Sequence, residues 1–191
     1  IGSGKGLFTE KLLARFADSN FLLVDISPAM IEKCKDKFAA NNQIKYLTAD
    51  AEKIELEQNF DLIVSNAAVQ WFKNLGQTID KFMGCLNNEG KLYFSTFGAD
   101  HFQELSDCCK QVLGADFSQE FKTKEELIVS LDNCCSELKV TEDQYQETFS
   151  SVRQFLRATK KIGANSAKQN RPKLTPNKLR KLEKVYSKKY S

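Results

Sequence analysis

The sequence is poor in three features that would point to common kinds of site or location. It has one histidine, His101, and none of its six cysteines forms a C-x-x-C motif. Since zinc sites draw on histidine and cysteine ligands at short spacings, we predict no metal site. No segment approaches the ~18 apolar residues of a membrane span, and no stretch resembles a secretory signal. We therefore expect a cytoplasmic protein, without membrane contact, whose cysteines are reduced and serve as small core residues.

The net charge of +3 is small, but the cations are unevenly distributed along the chain. The end of the chain is a basic region opposed only by Glu183. Such a region suggests an acidic partner, although charge runs are more often a solvated helix face. No nucleic-acid partner is expected, because a dense platform of aromatic and basic side chains is lacking. The cations of the basic region are Lys168, Arg171, Lys173, Lys178, Arg180, Lys181, Lys184, Lys188 and Lys189.

The first residues, Ile1-Gly2-Ser3-Gly4-Lys5-Gly6, form a G-x-G-x-G run before an amphipathic segment. Glycines without a Cβ permit a sharp turn from strand to helix, and they leave backbone N–H groups free to face an anionic or polar ligand. The run predicts a nucleotide-type cofactor loop, but alone it fits a simple connecting turn equally well. A strand should precede such a loop. Because only Ile1 does, we expect that the first strand of the sheet is missing.

Strand-like and helix-like segments alternate through the first half of the chain. Apolar runs at residues 21–24, 44–47, 60–64 and 91–97 predict strands, and helical spacing or capping signals separate them. Ser27-Pro28, for example, is a good helix start. Repeated βα units imply an α/β fold with a mostly parallel sheet and helices on both faces. We predict one domain over 1–191, with a cofactor-binding half at 1–97 and substrate-side helices, a strand and a basic tail at 98–191.

Acidic residues end two of the predicted strands, where parallel sheets bind ligands. Asp25 lies 19 residues past Gly6, near the ~20-residue spacing at which a carboxylate meets ribose hydroxyls. Asp50, followed by Ala51, ends the next strand and could accept a hydrogen bond from an adenine amine. The alternative is that each aspartate only shapes a turn or caps a helix.

Taken together, these motifs resemble a class I S-adenosylmethionine-dependent methyltransferase. More particular segments resemble the malonyl-[acyl-carrier-protein] O-methyltransferase family of biotin synthesis, and the similarity covers nearly the whole chain. This chain departs from the family's pattern at both ends. It lacks an acidic residue before the glycines, an N-terminal helix and a last strand. The segments that carry the resemblance are Asp25–Met30, Asp61–Trp71, Ser95–Gly98 and Leu156–Ala164.

The resemblance implies a Rossmann-like fold, S-adenosyl-L-methionine as cofactor, and malonyl-acyl-carrier protein as partner and substrate. Gly2, Gly4 and Gly6 would face the methionine end of the cofactor and Asp25 its ribose, and Ile26 would also belong to the cofactor site. Asp50 would accept from the adenine amine. Met30 and Ala51 would surround the adenine, and Asn66 would lie at the opening toward substrate.

The chemistry implied is transfer of a methyl group to a carboxylate, which gives a methyl ester. A carboxylic acid with a pKa near ~4 is already ionised at neutral pH, so no general base is required and His101 is expected to serve packing. The site needs a cation that positions the carboxylate, and an arginine fork suits this. Arg157 is the first candidate and Arg153, four residues earlier, the second. Their alternative role is a surface ion pair.

Two further groups of residues are predicted to serve the substrate. Trp71 and Gln70 would form a wall at the pocket mouth that excludes water, although Trp71 could also be a core residue. Lys160, Lys161, Lys168 and Arg171 would attract the acidic carrier protein. Three other interpretations stay open: methylation of a free small acid such as trans-aconitate, a non-catalytic cofactor-binding fragment, and, as the weakest, a dehydrogenase. The oligomeric state is not predicted.

Overall fold

The computed structural model describes residues 1–114, 121–161 and 174–190. These residues form two compact units. The first contains Ile1–Phe97 and Thr123–Lys139, and the second contains Gly98–Lys122 and Val140–Ser191. The side chains of Lys160 and Lys161, together with Lys168, Arg171 and the segment Ile162–Ala164, lie outside what is described.

The first unit alternates helices and strands, as the hydrophobic pattern predicts. Its helices lie at the segments where capping residues or helical spacing occur, and its strands lie at the apolar runs. In chain order the elements are α1 (Leu7–Arg15), β1 (Phe21–Asp25), α2 (Pro28–Lys37), β2 (Ile44–Thr48), β3 (Phe60–Asn66), α3 (Leu75–Gly84), β4 (Leu86–Ser95) and α5 (Lys124–Leu131), with α4 belonging to the second unit.

The strands of the first unit pair in parallel, β1 with β2 and β3 with β4. The opening residues lie between the two pairs: Ile1 N donates to Val64 O at 2.8 Å, and Ser3 N donates to Val24 O at 3.1 Å. Residues 1–3 therefore link β1 to β3 through backbone hydrogen bonds. This link brings the carboxyl ends of β1 and β3 close to the glycine turn.

Helices cover both faces of β1. Neighbouring residues of the strand point to opposite faces, so each packs against a different set of helices. Leu23 packs with Cys34 of α2 and with Ile44. Val24 belongs to the other core, which includes Phe82 of α3 and Leu131 of α5. The predicted arrangement of helices on both faces is confirmed for this strand.

The start of β4 and the burial of α1 differ from the sequence prediction. Strand β4 begins at Leu86 instead of Lys91, because Leu86 pairs with Phe60 before a register shift, and the next aligned pair is Leu62 with Lys91. Glu89 has a left-handed φ of 64° within this irregular stretch. In α1 the apolar spacing correctly predicts a helix, but Leu7 and Phe8 are exposed by 63% and 39%.

The second unit is helical where it is described. It contains α4 (Gln103–Leu113), α6 (Val152–Lys161) and α7 (Pro176–Tyr190). Leu182 of α7 is completely buried against Cys108 and Cys109 of α4 and Val152 of α6. Among the described residues from 98 onward we find no strand, although the sequence analysis expects one there.

Three of the six cysteines are core residues as predicted, and the other three are only half-buried. All six are free thiols, and Cys34, Cys108 and Cys109 are completely buried. Burial raises the pKa of the Cys34 and Cys108 thiols. These thiols are therefore apolar core groups in their protonated form.

Candidate active site

The glycine turn has a left-handed backbone at all three glycines, and the glycines have different tasks. Gly2, Gly4 and Gly6 have φ values of 66°, 53° and 73°, in the left-handed region that disfavours side chains. A Cβ on Gly2 would clash with the Cβ of Ala68, and one on Gly6 would lie 2.6 Å from Cε2 of Phe38. Only around Gly4, of these three, is the space open to 4 Å. Gly4 therefore offers the backbone surface that a ligand can approach.

Asp25 holds this turn by its carboxylate. Gly4 N donates to Oδ2 at 2.8 Å, and Ser27 N donates to Oδ1 at 2.9 Å. Each carboxylate oxygen has a further lone pair, so Asp25 can still accept hydrogen bonds from a ligand diol. Next to it Ile26 is exposed by 69%. Met30, in the first turn of α2, is half-buried.

Cys34 supports the same turn from α2, a contact that the sequence analysis missed. Its thiol donates to Gly4 O at 3.3 Å, and its sulfur lies 3.8 Å from Ser3 Oγ. The Gly4 residue is thus fixed at its N–H by Asp25 and at its carbonyl by Cys34. No local motif signals this contact, because it joins residues 30 positions apart.

Asp50 and Ala51 follow β2 beside the end of β1, where Ala49 N donates to Asp25 O at 3.0 Å. Asp50 Oδ1 accepts from Glu52 N at 3.0 Å, and Oδ2 lies 3.4 Å from Lys53 Nζ. The turn-shaping role is thus observed for Asp50. It does not occupy every lone pair, and the predicted contact with adenine stays a prediction.

Asn66 ends β3 and is bonded to the end of β4. Ser95 Oγ donates to Asn66 Oδ1 at 2.7 Å and accepts from Ala67 N at 3.2 Å. Ala67 has a left-handed φ of 50°, and the chain then enters a short 3-10 turn over Val69–Trp71. Ser95 thus supports Asn66, a contact that the sequence analysis did not predict, although Ser95 lies in the quoted S-T-F-G segment.

The predicted pocket wall lies in this 3-10 turn. Gln70 Nε2 donates to Ala67 O at 2.8 Å, which ties the turn to the end of β3. Trp71 is exposed by 39%, so it is not the core tryptophan of the alternative interpretation. A partly exposed indole beside the Asn66 segment is able to cover a ligand.

Comparison with known proteins assigns this arrangement to a family. Residues 1–94 match the family described as a methyltransferase domain. Malonyl-[acyl-carrier protein] O-methyltransferase 2 of Ilyobacter polytropus is 37% identical over 191 residues, which are 100% of this chain and 74% of that protein. The chain belongs to the malonyl-[acyl-carrier protein] O-methyltransferase family. The family member of Acetivibrio thermocellus is 36% identical, covering 90% of this chain and 65% of that protein.

Solved structures agree on the fold of this methyltransferase. The N-methyltransferase NodS of Bradyrhizobium japonicum, solved with S-adenosyl-l-homocysteine, superposes with a TM-score of 0.56 at 20% identity, covering 76% of this chain and 68% of that one. An S-adenosylmethionine-dependent methyltransferase of Clostridium acetobutylicum also gives 0.56, at 16% identity and 70% coverage of each chain. The predictions of a class I methyltransferase fold, of S-adenosyl-L-methionine as cofactor and of the family are confirmed.

The second unit of the methyltransferase carries the predicted substrate arginines on α6. Arg153 Nε lies 3.2 Å from Glu183 Oε1 of α7, so Arg153 takes the role of a surface ion pair. Arg157 is exposed, and it makes no ion pair within the described part of the chain. The two candidates are therefore separated: Arg157 is available for a carboxylate, whereas Arg153 is engaged.

His101 is a packing residue of the second unit. Its ring centroid lies 3.6 Å from that of Phe102 and 5.3 Å from that of Phe121. Burial lowers the pKa of His101 to about 4, so the imidazole is neutral at pH 7.

No described helix of this methyltransferase is both long and apolar enough to cross a membrane. Nor do the described residues group three or more potential metal ligands.

Proposed function

We propose that this methyltransferase transfers a methyl group from S-adenosyl-L-methionine to the free carboxylate of malonyl-acyl-carrier protein. The product is a methyl ester, early in the pimeloyl stage of biotin synthesis. The observation that carries the proposal is a match to enzymes of this name along the whole chain. The same chain places an open glycine turn, Asp25 and Asn66 at the ends of parallel strands.

The residues present fit the cofactor. Gly4 leaves open space on a turn fixed by Asp25, and an added side chain there would occupy the space that a ligand needs. Asp25 would hold the ribose and Asp50 the adenine amine, while Met30, Ala51 and the exposed Ile26 would contact the adenosine. S-adenosyl-L-methionine, when bound, supplies an electrophilic methyl group on a positively charged sulfur.

The protein's contribution to the reaction is orientation and exclusion of water. The malonyl carboxylate is ionised at neutral pH, so its oxygen attacks without a base. Well-aligned reactants gain on the order of 7–11 kcal/mol over free ones. Asn66, Gln70 and Trp71 would shape the opening on the substrate side. An exposed indole that closes over the ligand would remove water from the reacting atoms.

Arg157 is the residue we propose for the carboxylate. A guanidinium forms two parallel hydrogen bonds with a carboxylate, which fixes its orientation while leaving electron density for attack. Availability supports the choice, because Arg157 is exposed and Arg153 is paired with Glu183. An acyl-carrier protein, as acidic partner, would bring the malonyl thioester.

The experiment is transfer of a labelled methyl group to three acceptors: malonyl-carrier protein, acetyl-carrier protein and free trans-aconitate. We expect label on malonyl-carrier protein alone, and the label should be released by mild base as expected for an ester. Acetyl-carrier protein is the matched control, because it lacks the carboxylate. Label on trans-aconitate without label on malonyl-carrier protein would replace the proposed substrate. Calorimetric binding of S-adenosylhomocysteine without transfer to any acceptor would indicate a non-catalytic domain.

A further inference from the structure

We propose that the solvent face of α7 is the surface on which this chain binds its acidic carrier protein. The face consists of Arg180, Lys181, Lys184 and Lys188, which we call the α7 basic face. All four residues are exposed. The identity of the partner rests on the proposed function, whereas the charge and orientation of the face rest on the structure.

Helical geometry places these cations on one side. Residues three, four, seven and eight apart share a face at 3.6 residues per turn, and Arg180 to Lys188 fall at such spacings. The nine residues from Arg180 to Lys188 span about 12 Å along the axis. Leu182 points the other way, because it is completely buried in the core with Cys108 and Cys109. The α7 basic face is therefore turned to solvent by the packing of Leu182.

Ion pairs on the flanks of α7 hold the helix in this orientation. Glu183 contacts Arg153 of α6 at 3.2 Å, and Lys189 Nζ lies 3.3 Å from Asp107 Oδ2 of α4. Tyr190 also donates to Asp107, at 3.3 Å. The carboxylates of Glu183 and Asp107 thus form their ion pairs on the flanks of α7. Within the described residues, no carboxylate forms an ion pair with any member of the α7 basic face.

An unbalanced row of cations is a cost to the isolated helix. Like charges three or four residues apart on a helix repel one another. The pairs Arg180 with Lys184 and Lys184 with Lys188 have this spacing. An acidic protein surface would relieve the repulsion and would be steered toward the face at low salt.

Other partners fit this face less well. A membrane-surface helix must insert its apolar side into the lipid, but here that side is buried in the unit around Leu182. A single-stranded nucleic acid would need aromatic rings between the cations, and the α7 basic face has none. The aromatic residues nearby, Tyr186 and Tyr190, contact one another as a tilted pair, with ring centroids 5.3 Å apart.

The test compares three variants of the whole chain by fluorescence anisotropy with labelled malonyl-carrier protein. The first is K181Q/K184Q/K188Q, in which glutamine removes charge but keeps helix propensity. The second, K181R/K184R/K188R, keeps the charge. The third, K11Q/K33Q/K45Q, removes the same charge from exposed lysines of the first unit, none of which forms an ion pair within the described residues.

We expect the Kd for the carrier to rise about tenfold in the first variant, with a weaker salt dependence. The second and third variants should stay within about twofold of the original chain. Binding of S-adenosylhomocysteine and turnover of malonyl-pantetheine, which presents no protein surface, should be unchanged in all three. Equal losses in the first and third variants would overturn the proposal, since net charge alone would explain them. Unchanged carrier binding by the first variant would also overturn the proposal. So would displacement of the labelled carrier by RNA that binds the same lysines.

The two proposals fail separately. If the original chain methylates malonyl-carrier protein but K181Q/K184Q/K188Q binds the carrier normally, the docking surface is wrong and the function stands. If the carrier binds through these lysines and no methyl group is transferred, the function is wrong and the docking surface stands.

Discussion

The two units of this methyltransferase offer different kinds of groups for the ligand contacts that we propose. In the first unit the site is built from backbone: three glycines in left-handed conformations, the N–H groups of Gly4 and Ser27, and strand ends. In the second unit the candidate groups are long cationic side chains on α6 and α7. Backbone sites require particular residue types at particular positions, so they leave a motif. Side chains on helices tolerate many sequences, so they leave only a charge pattern.

The largest expected effect tests the backbone unit. G6A places a Cβ 2.6 Å from Phe38 Cε2 at a φ of 73°. Strain and overpacking together should lower the free energy of unfolding by about 3 kcal/mol, measured by urea denaturation. The matched control is G84A at the end of α3, where no atom lies within 4 Å of the added Cβ. That change should be neutral or slightly stabilising. Equal losses in the two variants would contradict the packing role of Gly6.

The second prediction concerns Asp25. D25N replaces one carboxylate oxygen by an NH₂ group, so one of the acceptors for Gly4 N and Ser27 N is lost. A hydrogen bond to a charged group contributes about 1.5–3 kcal/mol. We therefore expect affinity for S-adenosylhomocysteine to fall by about 10- to 100-fold in calorimetry. D61N is the control, because Asp61 lies at the start of β3 and accepts from Asn87. If D25N binds the ligand normally, Asp25 is not a cofactor residue.

The third prediction tests side-chain recognition in the second unit. R157Q should lower kcat/KM for malonyl-carrier protein about tenfold, through loss of a bidentate contact. R157K should recover only part of it, since lysine lacks the fork. R153Q provides the comparison on the same helix, because Arg153 is paired with Glu183. We expect R153Q to keep its kcat/KM and to lose no more than about 1 kcal/mol of stability. Similar kinetics for R157Q and R153Q would remove Arg157 from the site.

The smallest effect at neutral pH belongs to His101, whose contribution to stability changes only as the pH falls. Its pKa is lowered to about 4 by burial, from the usual 6.5. The unfolded chain binds a proton first as pH falls, so this contribution to stability is present above about pH 6.5 and is lost toward pH 4. His101 is the sole histidine of the sequence, so the imidazole signals in an NMR spectrum can be assigned to it directly. H101F should flatten this part of the stability profile, while a ring that titrates near 6.5 in the folded protein would contradict the burial.

Much of the first unit follows from local patterns. The apolar runs that end at Asp25 and Asn66 correctly predict β1 and β3, and Ser27-Pro28 correctly predicts the start of α2. The early start of β4 was missed, because its irregular pairing through Glu89 has no hydrophobic periodicity. The individual roles of the predicted site residues stay predictions, as does the single-domain organisation. The contacts of Ser95 and Cys34 were not predicted, since each depends on a distant strand or helix.

The sequence by itself determined the class of the protein, because glycines, strand-end polar residues and alternating apolar runs are local requirements of one fold. Tertiary structure alone decided which of several equivalent residues is available. It left Gly4 open while closing Gly2 and Gly6 against Ala68 and Phe38. It also paired Arg153 with Glu183 and, by burying Leu182, turned the α7 basic face to solvent. The physical reason is that a residue's availability to a ligand depends on neighbours far along the chain, which composition and spacing do not reveal.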